Sequence, residues 1–192
     1  MHNLPTESYG PLGDASRHRP LVELAAGLCA YSELPKDEGR LATIVRRRPD
    51  GERETPDHVT LTPEGGVPGD RWGRLTPQAS DAQLTVMRRD VAELVANGQP
   101  LTLFGDNLFV DLDISAENLP LGARLLIGEA VVEVTPMPHN GCHKFKGRFG
   151  QDALEFVNAK VTRHLNLRGM YWKVVKPGQV CIGDAIQVLL RA

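Results

Sequence analysis

From Leu41 to the end of the chain, short runs rich in β-branched residues are separated by turn residues roughly every ten positions. This spacing constrains the fold more than any other feature, because it is the pattern of a sandwich or barrel and not of alternating strand and helix units. The runs are 41–48, 57–64, 82–89, 106–114, 123–128, 130–136, 170–178, 179–183 and 185–190. "RPDGER" between the first two predicts a hairpin tip, with Asp50-Gly51 supplying positive-φ turn residues.

Helical periodicity interrupts the strands in three places. Leu21, Leu24, Ala25 and Leu28 predict a short helix in "LVELAAGLCAYSEL", ended by Pro35 and Gly39. "RDVAELVANG" predicts a second, with Asp90 as N-cap and Asn97-Gly98 as its stop. "GQDALEFVNAKVTRHL" predicts a third that places Ala153, Phe156, Val157 and Val161 on one face. The expected class is therefore mostly β with a few short helices. Residues 1–20, rich in Pro, Gly, Ser and charge, read as a flexible N-terminal arm before one domain spanning 21–192.

Composition narrows the function. The chain has 22 basic and 24 acidic residues, so no global positive charge draws it to nucleic acid or an anionic membrane, and any attraction for anions is local. The apolar stretch Leu21 to Tyr31 is too short for a bilayer and carries Glu23. The N-terminus lacks the basic-then-apolar order of a signal peptide, and three irregularly spaced cysteines suit reduced thiols, so a cytoplasmic location is expected. Cys29 and Cys181 lie in apolar segments and read as small buried hydrophobes.

Cys142 differs. It stands in "PHNGCHKFKGRFG" between His139 and His143 and ahead of Lys144, Lys146 and Arg148. Pro136 and Pro138 end a strand, so the cysteine is expected on a loop leaving a sheet, where cationic neighbours stabilise thiolate over thiol. A thiolate is both a nucleophile and a soft metal ligand. A closed zinc site lacks a second ligand pair at familiar spacing, since only His58, His164 and Cys181 remain. A haem attachment site would need a cysteine where His139 stands. A solvated surface loop stays open as the plain alternative.

"EGGVPGDRWGR", "QLTVMRRDVAELVANG", "FGDNLFVDL" with "ENLPLGARLLIGEAVVEVT", the lone cysteine with "RFG" six residues after it, and the tail "LRGMYWKVVKPGQVCIGDAIQV" together resemble the MOSC family, named for the C-terminal domain of molybdenum cofactor sulfurases. The resemblance runs from about Leu41 to Leu190. It implies a mostly β, barrel-like domain that holds a molybdopterin-type cofactor or carries sulfur. By the same resemblance Cys142 is the molybdenum ligand or persulfide carrier. Asn107 matches the family's Gly-x-Asn-Leu turn, and Arg71 and Arg148 sit where cofactor-proximal charge is found. Lys144, His139, His143 and Arg168 complete the candidate cofactor-binding set. Two departures stand out: Asp106 replaces a common glutamate, and His143 follows the cysteine.

Three functions follow from this reading. One is a cofactor-binding or sulfur-carrier module. The second is a molybdenum-dependent reductase of N-hydroxylated small molecules. The third is a non-catalytic β-barrel interaction module using Lys144, Lys146 and Arg148 as a contact strip, although the even charge and few aromatics disfavour nucleic acid. No pyridoxal phosphate module or ferredoxin segment is expected, so sulfur or electrons come from separate sulfurtransferase or reductase partners.

Overall fold

Seven strands close into a barrel in a computed structural model that describes residues 12–31, 33–48, 51–74 and 79–191. The strands are β1 (Glu38–Ile44), β5 (Leu84–Arg88), β6 (Leu108–Asp111), β7 (Arg124–Ile127), β8 (Ala130–Val134), β9 (Met170–Lys176) and β11 (Ala185–Leu190). Their order is β1-β11-β7-β8-β9-β5-β6, closed by β6 against β1. Only the β5–β6 pairing is parallel. Two short sheets flank the barrel: β2 (Arg46–Arg47) with β3 (Arg53–Glu54), and β4 (His58–Leu61) with β10 (Gly178–Cys181). The β2–β3 pair is the hairpin expected around "RPDGER"; Gly51 has φ +88°, while Asp50 lies outside the described residues.

Strand alternation divides the apolar residues between two cores. Val86, Leu108, Val110, Val132, Trp172 and Ile186 fill the barrel. Met87 and Phe109, pointing the other way from β5 and β6, pack under a helical layer, and the core between strands and helices contains all five phenylalanines of the chain. That layer comprises α1 (Leu21–Ala30), α2 (Arg89–Ala96), α3 (His143–Phe149) and α4 (Gln151–Asn158). Strands covered on both faces read as continuous apolar runs, which is why "LTVM" and "LFV" carry little polar alternation.

The helices depart from the sequence expectations in physical detail. The first stops at Ala30, short of Pro35, and leaves Cys29 exposed, because only Leu24 of its apolar residues is fully buried. Cys181 is half-buried. Arg88, not Asp90, is the N-cap of α2; Asp90 sits in the first turn and pairs with Arg88 at 2.6 Å. Asn97 ends that helix in the left-handed conformation, as its Asn-Gly signal implies. The third predicted helix breaks at Ala159 into a 3-10 segment, Lys160–Leu165, which leaves Val161 83% exposed while Ala153, Phe156 and Val157 stay buried. The cysteine stretch is no extended loop beyond Cys142. Phe145 and Phe149, four residues apart, bury one face of α3 against Phe104, the Phe104 and Phe149 rings stacking at 4.1 Å.

Of the expected N-terminal arm, residues 1–11 lie outside the described residues. Residues 12–20 bond to the helical layer: Gln99 accepts from the Asp14 amide, Arg19 donates to Asn97, and His18 contacts the Arg148 carbonyl. No helix among the described residues is long and apolar enough to cross a membrane.

Candidate functional site

One rim of the barrel gathers the end of β1, the end of β8 and the starts of β6 and β9, as the pairings Ile44↔Leu108 and Val134↔Trp172 show. Over this rim lie the β2–β3 hairpin, the loop from Thr62 to Trp72 and the start of α3. Four cationic side chains from three segments converge here: Arg47 and Arg53 from the hairpin, Arg148 from α3 and Arg168 from the turn before β9.

Each is held by different means. Arg47 grips Asp70, its Nη2 2.6 Å from Oδ1 and its Nε 2.9 Å from Oδ2, and donates through Nη1 to the Gly105 carbonyl. Burial works to raise the Asp70 pKa, but hydrogen bonds and charge from Arg47, with the Trp72 and Arg47 amides, outweigh it and hold the carboxyl below its ordinary value. Arg148 is buried and donates to the Leu103 carbonyl at 2.7 Å. Arg168 donates to fully buried Asp106 at 2.7 Å, and its guanidinium lies 5.1 Å from the Phe145 ring centre. Arg53 pairs with no carboxylate among the described residues. Burial, then Arg148 and Arg47 beside it, bring its pKa down to about 10.

Gly105 forms the floor between two of them. At φ +79°, it adopts a conformation that L side chains rarely take, and a Cβ there would stand 3.6 Å from both Arg148 Nη1 and Arg53 Nη2. The Nε atoms of Arg53 and Arg168 are buried without a partner. Four guanidiniums thus face two buried carboxylates, Asp70 and Asp106, among the described residues. Such a set fits a multiply charged anion, and phosphate-bearing groups suit the guanidinium fork.

Cys142 stands at the N-cap of α3, exposed. Its sulfur lies within electrostatic reach of buried Arg148 and of Tyr171. An accessible cysteine sulfur near a buried cationic cluster is chemically able to ligate a soft metal.

The remaining predicted residues divide. His139 is nearly enclosed, packs at a 46° tilt against Tyr171 with ring centres 4.6 Å apart, and sits 3.7 Å from Asp106. Asn107 is fully buried. Its Oδ1 accepts from the Thr85 amide and hydroxyl and from Arg47, and its Nδ2 donates to the Val45 carbonyl. Its reach toward a ligand is therefore through Arg47, which it positions. Arg71 is exposed on the loop, whereas the preceding Asp70 points inward. His143 is exposed and Lys144 half-buried on the first turn of α3. Arg47, Arg53, Asp70, Asp106 and Tyr171 are absent from the sequence-derived set. The arginine-rich flank of "VRRRPDGER" was the available signal for the first two.

Comparison with known proteins agrees with this architecture. The MOSC domain family matches residues 78–187, more than half of the chain. Among solved structures, YuaD from Bacillus subtilis is 17% identical with a TM-score of 0.54, covering 78% of this chain and 94% of its own. YiiM from Geobacillus stearothermophilus is 19% identical with a TM-score of 0.53, covering 80% of this chain and 76% of that one. YiiM from Escherichia coli is 22% identical with a TM-score of 0.52, covering 80% and 71%. At these identities the likeness concerns the fold. No match to a functionally curated protein was found. The chain belongs to the MOSC domain family.

Proposed function

We propose that this domain binds a molybdenum cofactor of the molybdopterin type at the arginine-lined rim. Cys142 is its thiolate ligand to the metal or, when the domain serves as a carrier, the sulfur that bears a persulfide. The observation that carries this reading is the exposed Cys142 within electrostatic reach of Arg148, beside guanidiniums that outnumber the buried carboxylates. Arg53 and Arg148, flanking Gly105, hold the anionic end of the cofactor. Arg47 and Arg168 add positive potential while Asp70 and Asp106 fix their positions. The bound cofactor supplies a redox-active metal centre; the protein supplies orientation and the sulfur donor. Sulfur or electrons arrive from separate sulfurtransferase or reductase proteins.

The test is purification from a host that makes molybdopterin, followed by elemental analysis and mass spectrometry of Cys142. Near-stoichiometric molybdenum that is lost in Cys142→Ser and reduced in Arg53→Ala is expected of the cofactor-binding form. A persulfide on Cys142 in metal-free protein identifies the carrier form. Wild-type protein with neither, or Cys142→Ser with undiminished metal, overturns the proposal.

A further inference from the structure

A cavity of about 170 Å³ opens beside His139 and Arg168, walled by Pro138, Val157, Ala159 and Leu167. Its volume equals the share of about six waters in the liquid, room for one small ring. Most polar side chains on its lining are already engaged. Asn158 bonds both the amide and the carbonyl of Gly141, Asn166 donates to the Ile114 carbonyl, and Arg163 reaches Asn140.

His139 and Arg168 are different. Their side chains are only 7% and 9% exposed, and each faces one oxygen of Asp106. Asp106 Oδ2 accepts from Arg168 Nη1 at 2.7 Å, while Oδ1 lies 3.7 Å from His139 Nδ1. Neither Oδ1 nor Nδ1 has a hydrogen-bond partner. A buried carboxylate facing Nδ1 favours the tautomer with the proton on that nitrogen, which leaves the lone pair on Nε2. Sharing one carboxylate also sets the imidazole and the guanidinium side by side. The cavity wall therefore carries an acceptor next to a donor, among side chains that are otherwise apolar or already engaged.

We propose that this cavity binds small cyclic amides, heterocycles whose N–H and C=O lie adjacent on one edge. The N–H donates to His139 Nε2, the C=O accepts from the Arg168 guanidinium, and the ring rests against Val157 and Leu167. Acceptance at Nε2 requires a neutral imidazole. Burial, then Arg168 and Arg47, hold the His139 pKa well below its ordinary value, and the Tyr171 ring packs against the imidazole at a tilt of 46°. The site goes beyond the cofactor reading. It adjoins Cys142 through Asn140 and Gly141, but its recognition uses protein groups alone.

The experiment is calorimetric titration of cofactor-free protein with 2-pyridone and with N-methyl-2-pyridone, which lacks the donor. The expected result is binding of 2-pyridone and roughly tenfold or weaker binding of the methylated ring, since a buried acceptor is then left unpaired. His139→Phe, which retains an aromatic ring on Tyr171, is expected to abolish the discrimination. A readout independent of any variant is the ¹⁵N resonance of His139 Nε2 in the wild type, expected to shift at saturation. Absent binding, equal affinity for the two rings, or an unmoved His139 resonance overturns the proposal. Because the protein carries no cofactor in this titration, its outcome is distinguishable from that of the molybdenum analysis.

Discussion

Arg47 encloses the carboxylate of Asp70 on both oxygens, and Asp70 is 1% exposed while Arg47 keeps part of its surface in solvent. The pair joins the hairpin to the glycine-rich loop, and the Arg47 amide donates to the same carboxylate. Replacing Asp70 with Asn leaves a largely desolvated guanidinium without its counter-charge. Breaking a buried pair from one side costs about 3–5 kcal/mol, and the partial exposure of Arg47 places this one nearer 2–3 kcal/mol. Denaturant unfolding of Asp70→Asn checks it. Unchanged stability would mean that the Gly105 carbonyl, Asn107 and solvent support Arg47 without the Asp70 charge.

Gly105 supports a prediction about the site itself. Its positive φ makes any L side chain strained, at roughly 1–2 kcal/mol, and the added methyl stands between Arg53 and Arg148. Gly105→Ala is expected to lose cofactor retention beyond what its modest loss of stability explains. Molybdenum content measured well below the unfolding temperature separates the two effects. Full retention would place the anion away from Gly105.

Arg148 and Lys146 lie on opposite sides of α3. Positions two apart on a helix point in nearly opposite directions, and here Arg148 is buried while Lys146 is exposed. Arg148→Ala is accordingly expected to weaken cofactor retention severalfold, with Lys146→Ala near wild type. An extended segment would put both side chains on one face; the helix separates them, because Phe145 and Phe149 turn inward and draw Arg148 with them. Equal losses in the two variants would count against a buried cationic site.

The barrel was legible because its evidence is local. Each apolar run between turn residues became a strand, and the Asn97-Gly98 stop fell where both residues adopt positive φ. The family pattern led to Cys142, Arg148 and Arg168 for a similar reason, since motif positions survive without knowledge of the fold. What stayed hidden depends on contacts between segments far apart in the chain. Asp70 meets Arg47 across 23 positions and Arg168 meets Asp106 across 62, and neither pairing has a sequence period. The helix at His143–Phe149 was hidden by its own composition: Gly147 and three cations look like a loop until Phe104 is known to lie beneath.

His139 gives the chain a pH-dependent stability with a defined sign. In the unfolded chain its imidazole titrates near pH 6.5. In the folded protein burial comes first, then Arg168 and Arg47, in holding it neutral well below that value, while Asp106 at 3.7 Å and Tyr171 complete its surroundings. Between those two pKa values the unfolded state binds the extra proton, so stability falls as pH drops below about 6.5 and levels off at the folded pKa. One proton contributes at most about 1.4 kcal/mol per pH unit. His139→Phe removes this contribution and leaves the other histidines in place. The difference in unfolding free energy between wild type and variant, measured from pH 7.5 to 5, is therefore expected to slope with pH. A flat difference would show that His139 titrates in the folded protein much as it does in water, with Asp106 and not the arginines governing its proton.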